Sequence, residues 1–241
     1  MTAALFLCDD LDADVVHLSG PEGRHAATVR RVQVGEDVDL ADGRGTRARC
    51  TVVGLGHDSV ELRVRERVVE PRPAPWLAVA QGIAKGDRGE LAVELATEVG
   101  VDEVLPWAAA RCVVKWEGAR GERALARWRS TAREAGKQSR RARHPVVTGP
   151  VELEGLLERA VSATTLVLHE EATVPLASVD LPTEGDVLLV VGPEGGITER
   201  ELAALTSAGA TAVRLGASVL RTSTAGAAAA AVVSARTARW A

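Results

Sequence analysis

Beyond residue 75 the chain alternates short apolar runs with segments of helical period, and this alternation limits the folds open to it more than any other feature. Residues 76–83, 101–107, 165–169, 186–191 and 212–215 read as strands; 87–99, 123–136, 153–160, 198–208 and 224–240 read as helices. Strands with no polar alternation must be covered on both faces, and the intervening helices supply that cover. The pattern therefore specifies an α/β domain with a mostly parallel sheet. In the first of these helices Leu91, Leu95 and Val99 form the stripe expected to face the core, with Gly100 as the stop.

The first 70 residues follow a different rule. Residues 4–8 are a short apolar run, and Val60, Leu62 and Val64 alternate with Glu61, Arg63 and Arg65 as in a half-buried strand. Asp42, Gly43 and Gly45 lie between two further β-like runs and predict a hairpin turn. One helix over 22–32, with Ala26, Val29 and Val32 on one side, interrupts a unit that would close as a small barrel. Three prolines at 71, 73 and 75 cannot lie inside a helix or a central strand. The expected organisation is thus a β-rich domain over 1–70, a linker over 71–75 and an α/β domain over 76–241.

Composition narrows the function. Aromatic residues make up 2% of the chain and Tyr is absent, so nucleic-acid binding by rows of stacked aromatic side chains is poorly supplied. The formal charge of -4 conceals a strong local asymmetry. Between Arg111 and Arg143 eleven basic residues face three acidic ones, a local +8. Cys8, Cys50 and Cys112 are isolated and odd in number, which indicates neither a disulfide framework nor a metal site. No leader pattern opens the sequence and no apolar run approaches the roughly 18 residues of a membrane span, so a cytoplasmic protein without membrane association is expected.

Two stretches carry the chemistry. In LLVVGPEGGIT (188–198) a buried strand breaks into a glycine-rich loop, and in LGASVLRTSTA (215–225) a second strand ends in small and hydroxyl residues before an Ala-rich helix. Loops at the carboxyl ends of strands are where open α/β sheets bind ligands, and glycines let backbone approach a ligand closely. The first loop is neither a P-loop nor a dinucleotide fingerprint. The alternative, for this loop by itself, is a tight turn before a helix opened by a Thr198/Glu201 capping box. Arg221, among small and hydroxyl neighbours, requires an anionic or carbonyl partner, either a ligand or a structural carboxylate such as Glu194.

The combined motifs resemble a known family. GPEGG followed by hydroxyl-x-x-Glu, LGxxVLRTxTA, the upstream Leu168-His169-Glu170, Gln138-Ser139-x-Arg141, and Lys85-Gly86-Asp87-Arg88 are together similar to the bacterial 16S ribosomal RNA uridine N3-methyltransferases, the RsmE family of the SPOUT superfamily. The resemblance covers nearly the whole chain. It implies a SPOUT-type trefoil-knotted α/β domain behind an N-terminal PUA-like β-barrel, a homodimer, and S-adenosyl-L-methionine as methyl donor. The implied substrate is N3 of a uridine in 16S rRNA or the small ribosomal subunit; ribose 2′-O-methylation by the same fold, and a non-catalytic RNA-binding module, are the alternatives.

By that likeness the cofactor site comprises Leu168, His169, Gly192, Pro193, Glu194, Gly195, Gly196, Leu215, Gly216, Leu220, Thr222, Thr224 and Ala225. Arg221 is the candidate for stabilising charge on the uracil, and Glu194 a candidate proton acceptor. RNA contacts are expected from Arg24, His25, Arg30 and Arg31 in the barrel and from Arg133, Lys137, Gln138, Ser139, Arg140 and Arg141 in the basic tract. Lys137, Ser223 and Ala96 depart from the family pattern, at an often acidic, an often Glu and a commonly basic position respectively.

Overall fold

The computed structural model describes residues 3–240, which divide into two compact units. The first contains the residues up to Arg72 together with Gly136–His144; the second contains Pro73–Ala135 and the residues from Pro145 onward. The expected boundary at the prolines puts 136–144 in the second domain. The chain instead returns to the first unit for these nine residues.

The first unit is a five-stranded sheet in the order β1 (Ala4–Leu7), β3 (Asp37–Ala41), β4 (Thr46–Leu55), β5 (Val60–Val69), β2 (Val15–Leu18). β1 and β3 are parallel and the other pairs antiparallel. Side chains from both edge strands, Phe6 on β1 and Val16 and Leu18 on β2, join Leu40, Val52 and Leu62 in one cluster, so the sheet curls in the manner of a barrel. The β3–β4 turn forms where Asp42 and its glycines predict it: the Asp42 carboxylate accepts the amides of Arg44 and Thr46 at 2.7 and 2.9 Å. The expected helix over 22–32 is shorter and irregular. Helix α1 (Gly20–Arg24) opens on Pro21 and widens into a π turn over His25–Arg30, and Val29 is 70% exposed rather than on the buried side.

In the second unit seven parallel strands run in the order β10 (Val174–Pro175), β12 (Thr211–Arg214), β9 (Thr164–Leu168), β11 (Asp186–Val191), β6 (Trp76–Gly82), β7 (Glu103–Trp107), β8 (Val146–Val147). β6 and β11 pair in register at the centre and are almost wholly buried. Helices α2 (Arg88–Glu98), α3 (Gly118–Gln138), α4 (Leu153–Val161), α5 (Glu199–Ser207) and α6 (Thr222–Arg236) complete the unit, with the last turn of α3 counted in the first. The core-facing stripe of α2 differs from the expected one. Leu91 is 42% exposed, while Gly89, Ala92, Val93 and Ala96 are buried. A Cβ at residue 89 would fall 2.6 Å from the Trp128 ring of α3, and α2 also lies against the Ala-rich α6, so close helix approach selects the small residues over the leucines. Helix α6 stops at Arg236, short of the predicted 240, and a turn of 3₁₀ helix over Ala238–Trp240 follows.

That last turn anchors the end of the described chain. Arg239 pairs with Asp102 at 2.7 Å, with the two side chains 6% and 0% exposed, and also donates to the carbonyls of Pro75 and Gly100. Asp102 in turn accepts the Leu77 amide at the head of β6. Removing one partner from such a pair leaves the other charge buried. Arg239→Ala is expected to lower unfolding stability by about 3–5 kcal/mol, read as an earlier midpoint in urea denaturation.

Candidate active site

The carboxyl ends of β12, β9 and β11, adjacent in the sheet, carry the two singled-out loops and His169 to one place. After Val191 the chain turns through residues 192–197; Gly196 takes a φ of +74° that side chains rarely adopt, and its amide bonds the Pro193 carbonyl at 2.9 Å. Thr198 then opens α5 with the capping box foreseen from sequence: Glu201 N–H donates to the Thr198 hydroxyl, and the Glu201 carboxylate accepts the Thr198 amide at 2.9 Å. The neighbouring loop over 215–221 leads into α6, whose N-cap is Arg221.

The loops face a common cavity of about 500 Å³, lined by Leu168, His169, Glu170, residues 191–197, 219–222, Ala225 and Arg88. A recess of about 120 Å³, bordered by Leu168, His169, Glu170, residues 214–220 and Ala225, opens off it. Twelve of the thirteen residues expected around a cofactor border one or the other, Leu215 and Gly216 only the recess. Thr224 borders neither: it is exposed, and its amide donates to the Arg221 carbonyl in the first helical turn.

Thr222 has a second task. Its buried hydroxyl donates to the Gly192 carbonyl at 2.7 Å and accepts from the Gln81 amide nitrogen at 2.9 Å, which fastens the start of α6 to the glycine loop and to the end of β6. The loop can lie this close to β6 only because residue 82 is glycine; a Cβ there would fall 2.5 Å from the Pro193 nitrogen. Glu194 also braces the loop, accepting the Lys85 amide at 3.1 Å. From the β7–α3 connection Arg111 donates to the Gly195 carbonyl at 3.0 Å, and the Ala110 amide donates to Glu201 at 2.7 Å.

Of the polar groups facing the cavity, His169 and Arg221 are the two foreseen from sequence that keep donor capacity for a ligand. His169 Nδ1 accepts the Glu171 amide at 3.3 Å, so in the neutral ring the proton sits on Nε2 and can be donated to a ligand. Arg221 is exposed, and its side chain forms no ion pair or hydrogen bond with any described residue, so the structural pairing with Glu194 is not formed. Arg88, the first residue of α2, and Glu170 also line the cavity, although neither was singled out for the site from sequence. The signal for Arg88 was its place in KGDR just past a strand end; Gln81 and Gly82 left none, since a buried Gln beside a Gly reads as ordinary strand.

The predicted RNA contacts separate into two groups. Arg24, Arg30, Arg31, Arg133 and Gln138 are exposed, Arg30 lying 3.7 Å from Glu36. Lys137 is a correction: it is 8% exposed, and its ammonium sits on both Glu22 oxygens at 2.7 and 2.9 Å and on His25 Nδ1 at 3.1 Å. Its charge is neutralised inside the first unit. Arg140 is likewise engaged, donating to the Ala3 carbonyl at 2.7 Å and pairing with Asp39 at 3.3 Å, while Ser139 and Arg141 are half-buried. Much of the remaining basic tract is also structural: Arg127 pairs with Glu90, Arg129 donates to the Val147 carbonyl and Arg143 to the Glu70 carbonyl.

Among the described residues no group of three or more His, Cys, Asp or Glu could hold a metal ion, and no helix is long and apolar enough to cross a membrane. Burial raises the thiol pKa of all three cysteines, that of Cys50 to about 11, which makes them poor nucleophiles.

A family profile described as RNA methyltransferase domain matches residues 70–234, and one described as RNA methyltransferase PUA domain matches residues 18–65. Over the whole chain and 94% of the relative, the sequence is 49% identical to the ribosomal RNA small subunit methyltransferase E of Mycobacterium bovis. The chain belongs to the ribosomal RNA small subunit methyltransferase E family. Identity to the Bacillus subtilis member is 31%, over 89% of this chain and 87% of that one. Among solved structures, the family member from Neisseria gonorrhoeae bound to S-adenosyl methionine superposes with a TM-score of 0.88 at 28% identity, covering 98% of both chains. The family's fold is thus the mixed α/β architecture described above, with its PUA unit at the N-terminus.

Glu201 links the stability of this bracing to pH. Burial alone would push its carboxyl up, but the Ala110 amide and the Thr198 hydroxyl and amide outweigh it and hold the group below its ordinary value. A depressed folded value means the stabilisation is complete above the unfolded value of about 4.3 and disappears as pH falls through the folded one. Glu201→Gln should therefore flatten the acid limb of a stability-versus-pH curve measured by urea unfolding between pH 3 and pH 6, an interval chosen to span about 4.3.

Proposed function

We propose that this protein methylates N3 of a uridine in 16S ribosomal RNA with S-adenosyl-L-methionine as donor. The observation that carries the reading is the convergence of the 192–197 and 215–222 loops on one cavity, fastened together by Thr222, in a chain of this family. The residues present fit the donor. A cavity of about 500 Å³ is within the range of roughly 300–1,000 Å³ for small-molecule sites. Leu168, Leu220 and Ile197 offer apolar surface to a purine, backbone groups of the two loops offer hydrogen bonds, and His169 Nε2–H adds a directed donor. When bound, the donor supplies an electrophilic methyl on a sulfonium. The thirteen residues named from sequence are proposed as its site, Thr222 holding the walls together and Thr224 contributing through the helix start.

On the acceptor side the chain's task is to hold the uracil in line and to bear the negative charge that grows on its carbonyls as the N3 proton leaves. Arg221 is available for this because nothing else in the described structure occupies it. Glu194 is better suited to bracing the loop than to taking the proton, with one oxygen held by the Lys85 amide. Exposed Arg24, Arg30 and Arg31 of the first unit and Arg133 of α3 are proposed to neutralise RNA phosphates, and the target base would be unstacked to reach the cavity. The proposal extends to a homodimer, a trefoil knot in the second unit and a cytoplasmic setting, as the family likeness implies.

Incubation with labelled donor and small subunits from cells lacking the protein, followed by nucleoside analysis, tests the reading. N3-methyluridine is the expected product. A 2′-O-methylated nucleoside, or an intact donor-binding protein that labels nothing, would overturn it.

A further inference from the structure

Arg88 has no role in the reading so far, yet it lines the cavity from the start of α2. It is the first residue of α2, directly after the turn at Gly86, and it is half-buried. Its guanidinium forms no hydrogen bond or ion pair with any described residue, although Glu90, on the same helix, is paired with Arg127. A partly desolvated guanidinium with no partner is costly unless a ligand supplies the anion. The other charged or titratable side chains lining the cavity are His169, Glu170, Glu194 and Arg221. Arg88 and Arg221 border the main cavity but not the recess between the 168–170 and 215–220 segments, so both cations belong to the same space.

We propose that Arg88 is a second catalytic cation of this site: it and Arg221 hold the two carbonyl oxygens of the target uracil and stabilise its N3-deprotonated form. This rests on the uridine-N3 reading above. With the anion stabilised by two guanidinium groups, the N3 proton passes to bulk water and no side-chain base is required. The N3 lone pair then forms the new N–C bond while the C–S bond breaks, its electron pair remaining on sulfur as a neutral thioether. The arrangement gives a role to the two unpartnered guanidiniums that border the cavity.

The test compares wild type, Arg88→Ala and Arg88→Lys in two measurements. Affinities for S-adenosylhomocysteine and methylthioadenosine, which differ in the amino-acid carboxylate, are measured by calorimetry. Single-turnover methylation of small subunits is followed as a function of pH. Both affinities are expected to stay within about twofold of wild type, while Arg88→Ala loses on the order of 100-fold in turnover at neutral pH. That deficit should shrink as pH rises and the base ionises without help, and Arg88→Lys should recover part of it. Loss of S-adenosylhomocysteine affinity with methylthioadenosine binding preserved would overturn the proposal and place Arg88 on the donor's carboxylate. A turnover loss that does not vary with pH would overturn it in favour of a positioning role. Absence of N3-methyluridine from the wild-type product would remove the uridine-N3 reading and the proposal with it; when that product forms, the other outcomes bear on Arg88 alone.

Discussion

The Thr222 hydroxyl is the contact on which the site depends. It is a single oxygen, buried between the Gly192 carbonyl and the Gln81 amide, and it fastens three segments: the end of β6, the glycine loop after β11 and the start of α6. A serine or threonine at a helix start ordinarily caps its own helix. Here the hydroxyl bonds across the sheet, and Arg221 occupies the N-cap position with its side chain left uncommitted. Fixing the backbone with one residue frees its neighbour for the ligand, which is how preorganised sites are built.

A second layer keeps the glycine loop in place. Arg111 holds the Gly195 carbonyl, Glu194 holds the Lys85 amide, and Glu201 joins the head of α5 to the β7–α3 connection. Three charged side chains, Arg111, Glu194 and Glu201, thus spend hydrogen bonds on bracing the loop. Of the charged and titratable groups bordering the cavity, the side chains of Arg88, Arg221 and Glu170 have no partner among the described residues, and His169 keeps its Nε2–H to donate.

The strands, the two loops and their convergence were legible in the sequence because each rests on local chemistry. Unbroken apolar runs demand double-sided cover, and glycines mark where backbone turns or approaches closely. The capping box at Thr198 was readable for the same reason. The stripe of α2 was misjudged because hydrophobicity favours Leu91, whereas packing against Trp128 and α6 rewards the absence of side chain at Gly89 and Ala92. Lys137 was misread because a positive charge in a basic tract looks like a phosphate contact until its partner is seen. That partner, Glu22, lies 115 residues away, and only the return of 136–144 to the first unit brings the two together. Long-range pairing of this kind leaves no periodicity to read.

The 192–197 and 215–222 loops, each at the carboxyl end of a parallel strand, are proposed to form one donor site on the second unit. Hydrogen–deuterium exchange of the intact protein, with and without S-adenosylhomocysteine, tests it most directly. Simultaneous protection of peptides spanning 192–197 and 215–222, and of the 168–170 strand end, is the predicted result. Protection of only one of these loops, or protection centred on the first unit with both loops unchanged, would contradict the account.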